Sequence, residues 1–500
     1  MNLENLKEII HDVEQRFAVN EWEIDGIKLW PFIRIENYML LSYKALDSKP
    51  LQTKSYKYGL KIIISKINYL KARIFDQNNE AQYNEKDIVF LSDGMAFTKL
   101  KTKWYNKLCD PLASEFKNRG FTSIRLDLSH NFFTPRHSPS KFIQPKIDNI
   151  IIKALFKNKI VNPKFSNEKW YDFENFITDK KVRENFIYIP SKDTIRKRID
   201  KIKKIKLYYS NILKTIKPKI GFIVNYYGDD QMAFTLACNE LNIPTVDIQH
   251  GVQGEFHLSY GNWFKIPPTG YTQIPNYFWV WSQEEKKNID EWCFSTDIHK
   301  VIIGGNLFSE IWKDNASEIV IDFDKQFNRL KKIKEKKSVL ITLSPHTESL
   351  MIETWETLKI SQNNYNWFIR VHPSMINEIK NIKEKLLKMG ITKFEIKESS
   401  MLPLQTILRN VDAHITCQSS CVIEATDFGI KSLITSDYGK SLYEDQIYSQ
   451  KAFFVKTVEE IINSIEIIVN NKKDTIFNYT TNLKNNSIEN LINSYLKNPL

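Results

Sequence analysis

"ITCQSSCVIEATDFGIKSLI", residues 415–434, decides the fold. A β-branched apolar run ends near Cys417, Ser419 and Ser420 follow, and a helical stretch opens near Cys421 with Glu424 one turn in. Gly429 then closes the helix before a second apolar run begins. Strand, helix and strand in that order form a βαβ unit, whose crossover leaves its two strands parallel.

The same texture spreads in both directions. Downstream of residue 337, "SVLITLS" (338–344), "WFIRVH" (367–372), "KFEIK" (393–397), "VDAHIT" (411–416), "KSLITS" (431–436) and "AFFV" (452–455) read as strands between helical stretches. An earlier series comprises "DIVFLS" (87–92), "TSIRLD" (122–127), "KIGFIV" (219–224), "TVDIQ" (245–249), "YFWVW" (277–281) and "KVIIGG" (300–305). Strands alternating with helices imply α/β architecture on doubly wound parallel sheets. Five hundred residues also exceed what one core holds.

The expectation is therefore two Rossmann-like domains facing across a cleft, behind an N-terminal helical extension. The boundaries read as a helical region over 1–85, a first Rossmann-like domain over 86–314, a charged linker helix over 315–337, a second Rossmann-like domain over 338–480 and a C-terminal helix over 481–500.

Composition narrows the function classes. With 42% hydrophobic and 13% aromatic residues the chain can bury a core. A net charge of +12 favours anionic partners, yet no zinc-finger spacing or paired ribonucleoprotein aromatics are present, so no nucleic-acid partner is expected. Five scattered cysteines without a CxxC pair argue against zinc or a disulfide framework and suit a reducing cytoplasm.

The first residues, "MNLENLKEIIHDVEQRF", lack an apolar signal core, and no run approaches 18 apolar residues, so a soluble or peripheral protein is expected. "KSYKYGLKIIISKINYLKARIF" (54–75) spaces Leu60, Ile63, Ile64, Ile67, Leu70 and Ile74 as one helix face amid unpaired Lys and Arg. That pattern suits an anionic membrane face, or equally a helix packed on the first domain with its lysine stems laid along it.

In open α/β sheets the ligand lies beyond the carboxyl ends of the strands, and there the candidates gather. "FIRVHPSM" places Arg370 and His372 on one side of a strand that Pro373 ends; guanidinium and imidazole both donate to a diphosphate or sugar phosphate. Ser419 and Ser420 at a helix start offer hydroxyls and backbone N–H groups to phosphate, or cap the helix. Glu424 suits a ribose diol or the stabilisation of that helix start, and Ser344, in "ITLSPHTES", stands at another strand end.

In the first domain, "TVDIQHGVQGEF" (245–256) puts His250 between Gln249 and Gly251 where a strand leaves its sheet. An imidazole there can act as general base, phosphate ligand or proton shuttle. Asp93, before Gly94, is a candidate carboxylate base; Asp229 and Asp230 compete with it or cap the helix that follows. With no DxD at a strand end and no histidine-rich cluster, neither a metal nor another cofactor is expected.

Together, "QHG", "RVHP" and "SSCVIEA" resemble the motifs of GT-B bacterial surface-polysaccharide glycosyltransferases, nearest to those handling CMP-activated Kdo or sialic acid. The resemblance spans residues 85–460 in layout and rests on some thirty residues. It implies that the His372–Pro373 pair, Ser419 and Ser420 hold the nucleotide and that Asp93 deprotonates the acceptor. The expected donor is a nucleotide sugar, and the expected acceptor is a lipid-linked glycan of O-antigen or capsule at the inner membrane face.

One departure is plain: that group carries two acids before the glycine, where this chain has Ser92–Asp93–Gly94. "QHG" and "HP" are also similar to the CDP-glycerol and polyol-phosphate transferases of teichoic-acid synthesis, which implies His250 as base and a transferred polyol phosphate. A non-catalytic nucleotide-sugar-binding assembly protein and a UDP-sugar 2-epimerase share the same layout.

Overall fold

A computed structural model describes residues 3–45, 67, 70, 82–129, 134–156, 167–345, 351–471 and 480–497. The basic stretch 54–75 lies outside the described residues except for Ile67 and Leu70. The chain divides into two compact units. The first gathers Met1–Thr98, Thr102–Gly305 and Thr480–Leu500; the second gathers Lys99–Lys101 and Asn306–Tyr479. Among the described residues no helix is long and apolar enough to cross a membrane.

The first unit is built on strands β1 (Ile88–Asp93), β2 (Ser123–Leu128), β3 (Ser140–Phe142), β4 (Ile220–Val224), β5 (Thr245–Ile248), β6 (Tyr277–Val280) and β7 (Lys300–Ile303). Their order is β7-β6-β5-β4-β1-β2-β3 and every neighbouring pair is parallel. This is the 3-2-1-4-5-6 order of dinucleotide-binding sheets with one strand appended, and the winding reverses between β1 and β4. β4 is buried along its whole length, as expected of a parallel strand covered on both faces. Gly221 within it lets the helix Asp229–Glu240 lie close, since an added Cβ would stand 3.3 Å from the Phe234 ring.

Three further pieces complete this unit. The helices Leu3–Arg16 and Trp30–Ala45 are joined by a tight hairpin, Glu23–Ile24 with Ile27–Lys28. Asp25 and Gly26 both take positive φ (51° and 78°) at its turn, as a two-residue hairpin loop demands. From the other end of the chain, Ser487 Oγ donates to the Ile303 carbonyl at 2.6 Å and the Tyr495 and Tyr277 hydroxyls meet at 2.6 Å.

The second unit holds β8 (Ser338–Thr342), β9 (Asn366–Arg370), β10 (Ala413–Thr416), β11 (Ser432–Ile434) and β12 (Ala452–Phe454), all parallel in the order β9-β8-β10-β11-β12. His414 lies sealed at its centre, bonded to Thr342 Oγ1 (2.7 Å) and Ser432 Oγ (2.8 Å); burial pushes its pKa down to about 3, so it is a neutral link across three strands. The helix Glu318–Leu330 falls within the range read as a linker and belongs to this unit, burying Val320, Phe323 and Phe327.

One expected strand is not formed. "KFEIK" (393–397) contributes only a single bridge, Glu395 to Phe368 on β9. The cause is the Glu395 carboxylate, which accepts from the backbone N–H groups of Glu398 (2.8 Å) and Ser399 (2.7 Å) and turns the chain at once into the helix Lys397–Met401. Counting that bridge as a strand position, the second sheet repeats the 3-2-1-4-5-6 order of the first. Conversely, β3 ("SKF") was not anticipated: three residues with a serine and a lysine leave no apolar run to detect.

Candidate active site

In the first unit, β1, β4 and β5 are neighbours, so their carboxyl ends lie side by side where the winding reverses. β1 delivers Asp93, β4 runs into Asn225, Tyr226 and Tyr227, and β5 into Gln249 and His250. Gln249 is a latch. Its Oε1 accepts from the Trp281 N–H (2.6 Å) at the end of β6, and its Nε2 donates to the Gly251 carbonyl (2.9 Å). The left-handed residue at this edge is Asn225 (φ 63°) rather than Gly251, and backbone strain of that kind gathers at functional sites.

His250 is half-buried. Its Nε2 faces the Tyr227 hydroxyl at 3.4 Å, and its Nδ1 is sealed with no partner among the described residues. Burial lowers its pKa from the ordinary value near 6.5 by penalising the imidazolium. The charge of Asp93 opposes that shift and Lys107 adds to it. The ring is therefore neutral at pH 7 and has a carboxylate positioned to favour the cation once a proton arrives.

Both partners are held from behind. Ahead of Asp93, Ser92 Oγ accepts from Asn106 Nδ2 (2.5 Å), and the Asn106 N–H donates to Asp110 (2.9 Å). Asp110 pairs in turn with buried Arg125, whose Nε donates to Asp127 at 2.8 Å. Gly94 packs closely there: an added Cβ would stand 2.5 Å from Ser129 Oγ and oblige that side chain to shift.

The loop after His250 is clamped by the N-terminal helices. Fully buried Arg34 donates to the carbonyls of Gly261 (3.0 Å) and Asn262 (2.6 Å), stacks 4.0 Å from the Trp263 ring and pairs with Glu14 (3.1 Å). Glu14 accepts from the Phe264 N–H at 3.0 Å, and Lys7 pairs with Glu255 at 2.5 Å.

Two other first-unit acids, Asp229 and Asp247, have structural partners. Asp229 is bonded to Arg198 Nη2 (2.8 Å) and to Lys201 at the start of its helix. Burial raises Asp230 to about 6. Asp247, sealed on β5, accepts from the Tyr226 N–H (3.1 Å) and the Tyr260 hydroxyl (2.9 Å), and burial raises it to about 8.

In the second unit the sequence-predicted residues again share the carboxyl edge. Ser344 follows β8 and is buried; Arg370 ends β9, with His372 and Pro373 just beyond; Ser419, Ser420 and Glu424 follow β10. Arg370 Nη1 donates to the carbonyls of Ser399 (2.7 Å) and Leu402 (2.5 Å), and burial lowers its pKa. His372 Nδ1 accepts from the Ser374 N–H (3.2 Å) and caps the 3₁₀ turn that Pro373 opens. Glu424 accepts from Gln405 Nε2 at 2.7 Å.

Ser420 occupies the N-cap of the short helix Cys421–Thr426 without a side-chain capping bond, and Ser419 Oγ lies 3.4 Å from the Cys421 N–H. The turn carrying these serines is fixed by three contacts. Ser436 Oγ donates to the Cys417 carbonyl (2.9 Å), and the Tyr443 hydroxyl donates to the Gln418 carbonyl (3.0 Å). Gly439 packs so close that a Cβ would fall 1.9 Å from the Cys417 oxygen.

Tyr227, Asn225, Lys107 and His257 belong to the first-unit edge and were not singled out from sequence. Tyr226–Tyr227 at a strand end was a visible signal. His257 and Lys107 sit in loops that no periodicity marks.

No family model matches the chain, and no curated protein matches it. Among solved structures it is similar to the UDP-GlcNAc 2-epimerase of Methanocaldococcus jannaschii in complex with UDP-GlcNAc and UDP, at 12% identity and TM-score 0.49 over 81% of this chain and 99% of that one. The Neisseria meningitidis UDP-GlcNAc 2-epimerase bound to UDP-GlcNAc gives 13% identity and TM-score 0.49 over 81% and 99%. A Siraitia grosvenorii UGT transferase in complex with UDP gives 10% identity and TM-score 0.43 over 80% and 95%. Likeness of this degree transfers no ligand and no residue role to this chain.

Proposed function

We propose that the protein is a GT-B-type glycosyltransferase that moves a sugar from a nucleotide-activated donor, a CMP-ulosonic acid by preference, onto a lipid-linked surface-polysaccharide acceptor. The observation that carries this reading is His250, a neutral imidazole at the winding reversal of the first sheet under the charge of Asp93. A neutral ring can take the acceptor hydroxyl's proton, and the Asp93 carboxylate steadies the imidazolium so formed. Nucleotide binding is assigned to the carboxyl edge of the second sheet, through His372, Pro373, Ser344, Ser419, Ser420 and Glu424. Arg370 supports them by holding the helix Lys397–Met401. The basic pattern of residues 54–75 supports a lipid-linked acceptor at an anionic membrane surface.

Incubation of purified protein with CMP-, UDP-, GDP- and dTDP-sugars and glycolipid extracts tests the proposal. Acceptor-dependent release of one nucleotide is expected, and its absence with every donor would overturn the reading. A second reading, CDP-polyol phosphotransfer, is served by the same observation because it also assigns the base to His250. It predicts phosphate in the product linkage, where glycosyl transfer leaves none.

A further inference from the structure

Five buried, unpaired polar atoms of the first unit lie within one ten-residue loop, 250–259, and the others are scattered over the unit. Among the described residues, His250 Nδ1, both amide atoms of Gln253, His257 Nδ1 and Ser259 Oγ are buried without a hydrogen-bond partner, and Asn225 Oδ1 joins them from the end of β4. Buried polar groups are nearly always paired in folded proteins, so such a concentration marks a place where an occupant or ordered water completes the bonding. Gln253 is fully sealed, whereas His250 and His257 are half-buried.

The surroundings define the occupant's chemistry. His257 stands among Tyr38 (ring centroids 5.0 Å), Tyr227 (5.8 Å) and Tyr260 (5.0 Å). Burial holds His257 down at about 3, with His250 adding to the effect, so it is uncharged near pH 7. Its ring then offers one donor and one acceptor, as a hydroxyl does, and its Nε2 has no partner among the described side chains. A phosphate would call for cations. Neutral imidazoles and aromatic ring faces instead match the hydroxyls and C–H faces of a pyranose.

We infer that His257, with Tyr227, forms a binding subsite for a neutral pyranose, the sugar whose hydroxyl His250 faces. Calling that sugar the acceptor rests on the proposed transferase reading; the subsite itself does not. Arg34, by fixing Gly261 and Asn262, holds the loop in place for it.

Saturation-transfer NMR on the full chain, without nucleotide, tests this with methyl α-D-glucopyranoside, methyl α-D-galactopyranoside and N-acetylglucosamine. Saturable binding of at least one is expected, weakened about tenfold in His257→Phe, which keeps the aromatic packing and removes both nitrogens, a loss equivalent to ~1.4 kcal/mol. Tyr227→Phe, which keeps its ring, is expected to weaken binding less. A thermal midpoint matching the wild type certifies each variant as folded, and His257→Leu, which also removes both nitrogens, stands in should the Phe variant fail that check. No pyranoside binding by the wild type, or equal binding by folded His257 variants, overturns the subsite.

Nucleotide release measured in parallel separates the two claims. Pyranoside binding that depends on His257 without any turnover would leave the subsite and remove the transferase. Turnover whose acceptor KM is unmoved in His257→Phe would remove the subsite and leave the transferase.

Discussion

The carboxyl edges of the two sheets occupy the same place in the same strand order, yet they treat their polar side chains in opposite ways. On the second sheet the large groups are engaged with the protein: Arg370 with two carbonyls, Glu424 with Gln405, His372 with the turn after it. On the first sheet His250 Nδ1, His257 Nδ1, the Gln253 carboxamide and the Asn225 oxygen are left without partners, against the Gln418 oxygen on the second. Topology dictates where a site can form. Whether the groups there are available depends on what their neighbours already bond.

The sharpest way to break this contrast is His250→Ala. Loss of a general base lowers turnover roughly 10²- to 10⁴-fold. Nucleotide binding, followed by calorimetry, is expected to persist. Equal loss of turnover in His250→Ala and His372→Ala would erase the distinction between the edges.

Arg370→Met ranks next and reads stability rather than chemistry. It strands the Ser399 and Leu402 carbonyls, each costing ~1–3 kcal/mol when buried and unpaired, and denaturant unfolding should register the loss in the second unit. An unchanged midpoint would mean that the guanidinium is not structural. Ser436→Ala removes both an N-cap to the Gly439 N–H and the bond to the Cys417 carbonyl, for roughly 1 kcal/mol and a modest fall in nucleotide affinity.

The smallest effect is on pH. The neutral form of His250 is the active one, so kcat/KM falls as pH drops through its pKa, which lies below 6.5. Burial, Asp93 and Lys107 bear on that value. Asp93→Asn removes the charge that favours the imidazolium, so the acid limb is expected to move to lower pH by a fraction of a unit. Movement to higher pH would reverse the assigned sign, and total loss of activity would make Asp93 the base instead.

Much of this was legible in the sequence because parallel strands buried on both faces are continuous apolar runs; "DIVFLS" and "KIGFIV" could be little else. The same rule failed at "KFEIK", where a glutamate's capping of the next turn outweighed the strand pattern, and at "SKF", which has no pattern to read. His250 and Asp93 were legible as strand-end residues. Their coupling was not, because it depends on β1 and β5 flanking β4, which strand succession alone does not reveal. The engagement of Arg370 was equally hidden, since its partners are backbone carbonyls some thirty residues away.

Residues 480–497 close the first unit, although the whole second unit separates them from it in sequence. At ~5–20 residues per second a ribosome takes on the order of ten to thirty seconds to make the intervening chain. Throughout that interval the β6–β7 end of the first sheet, including Tyr277 and Ile303, waits uncovered for Tyr495 and Ser487. The unit that bears His250 is thus begun before the second unit is made and closed only after it.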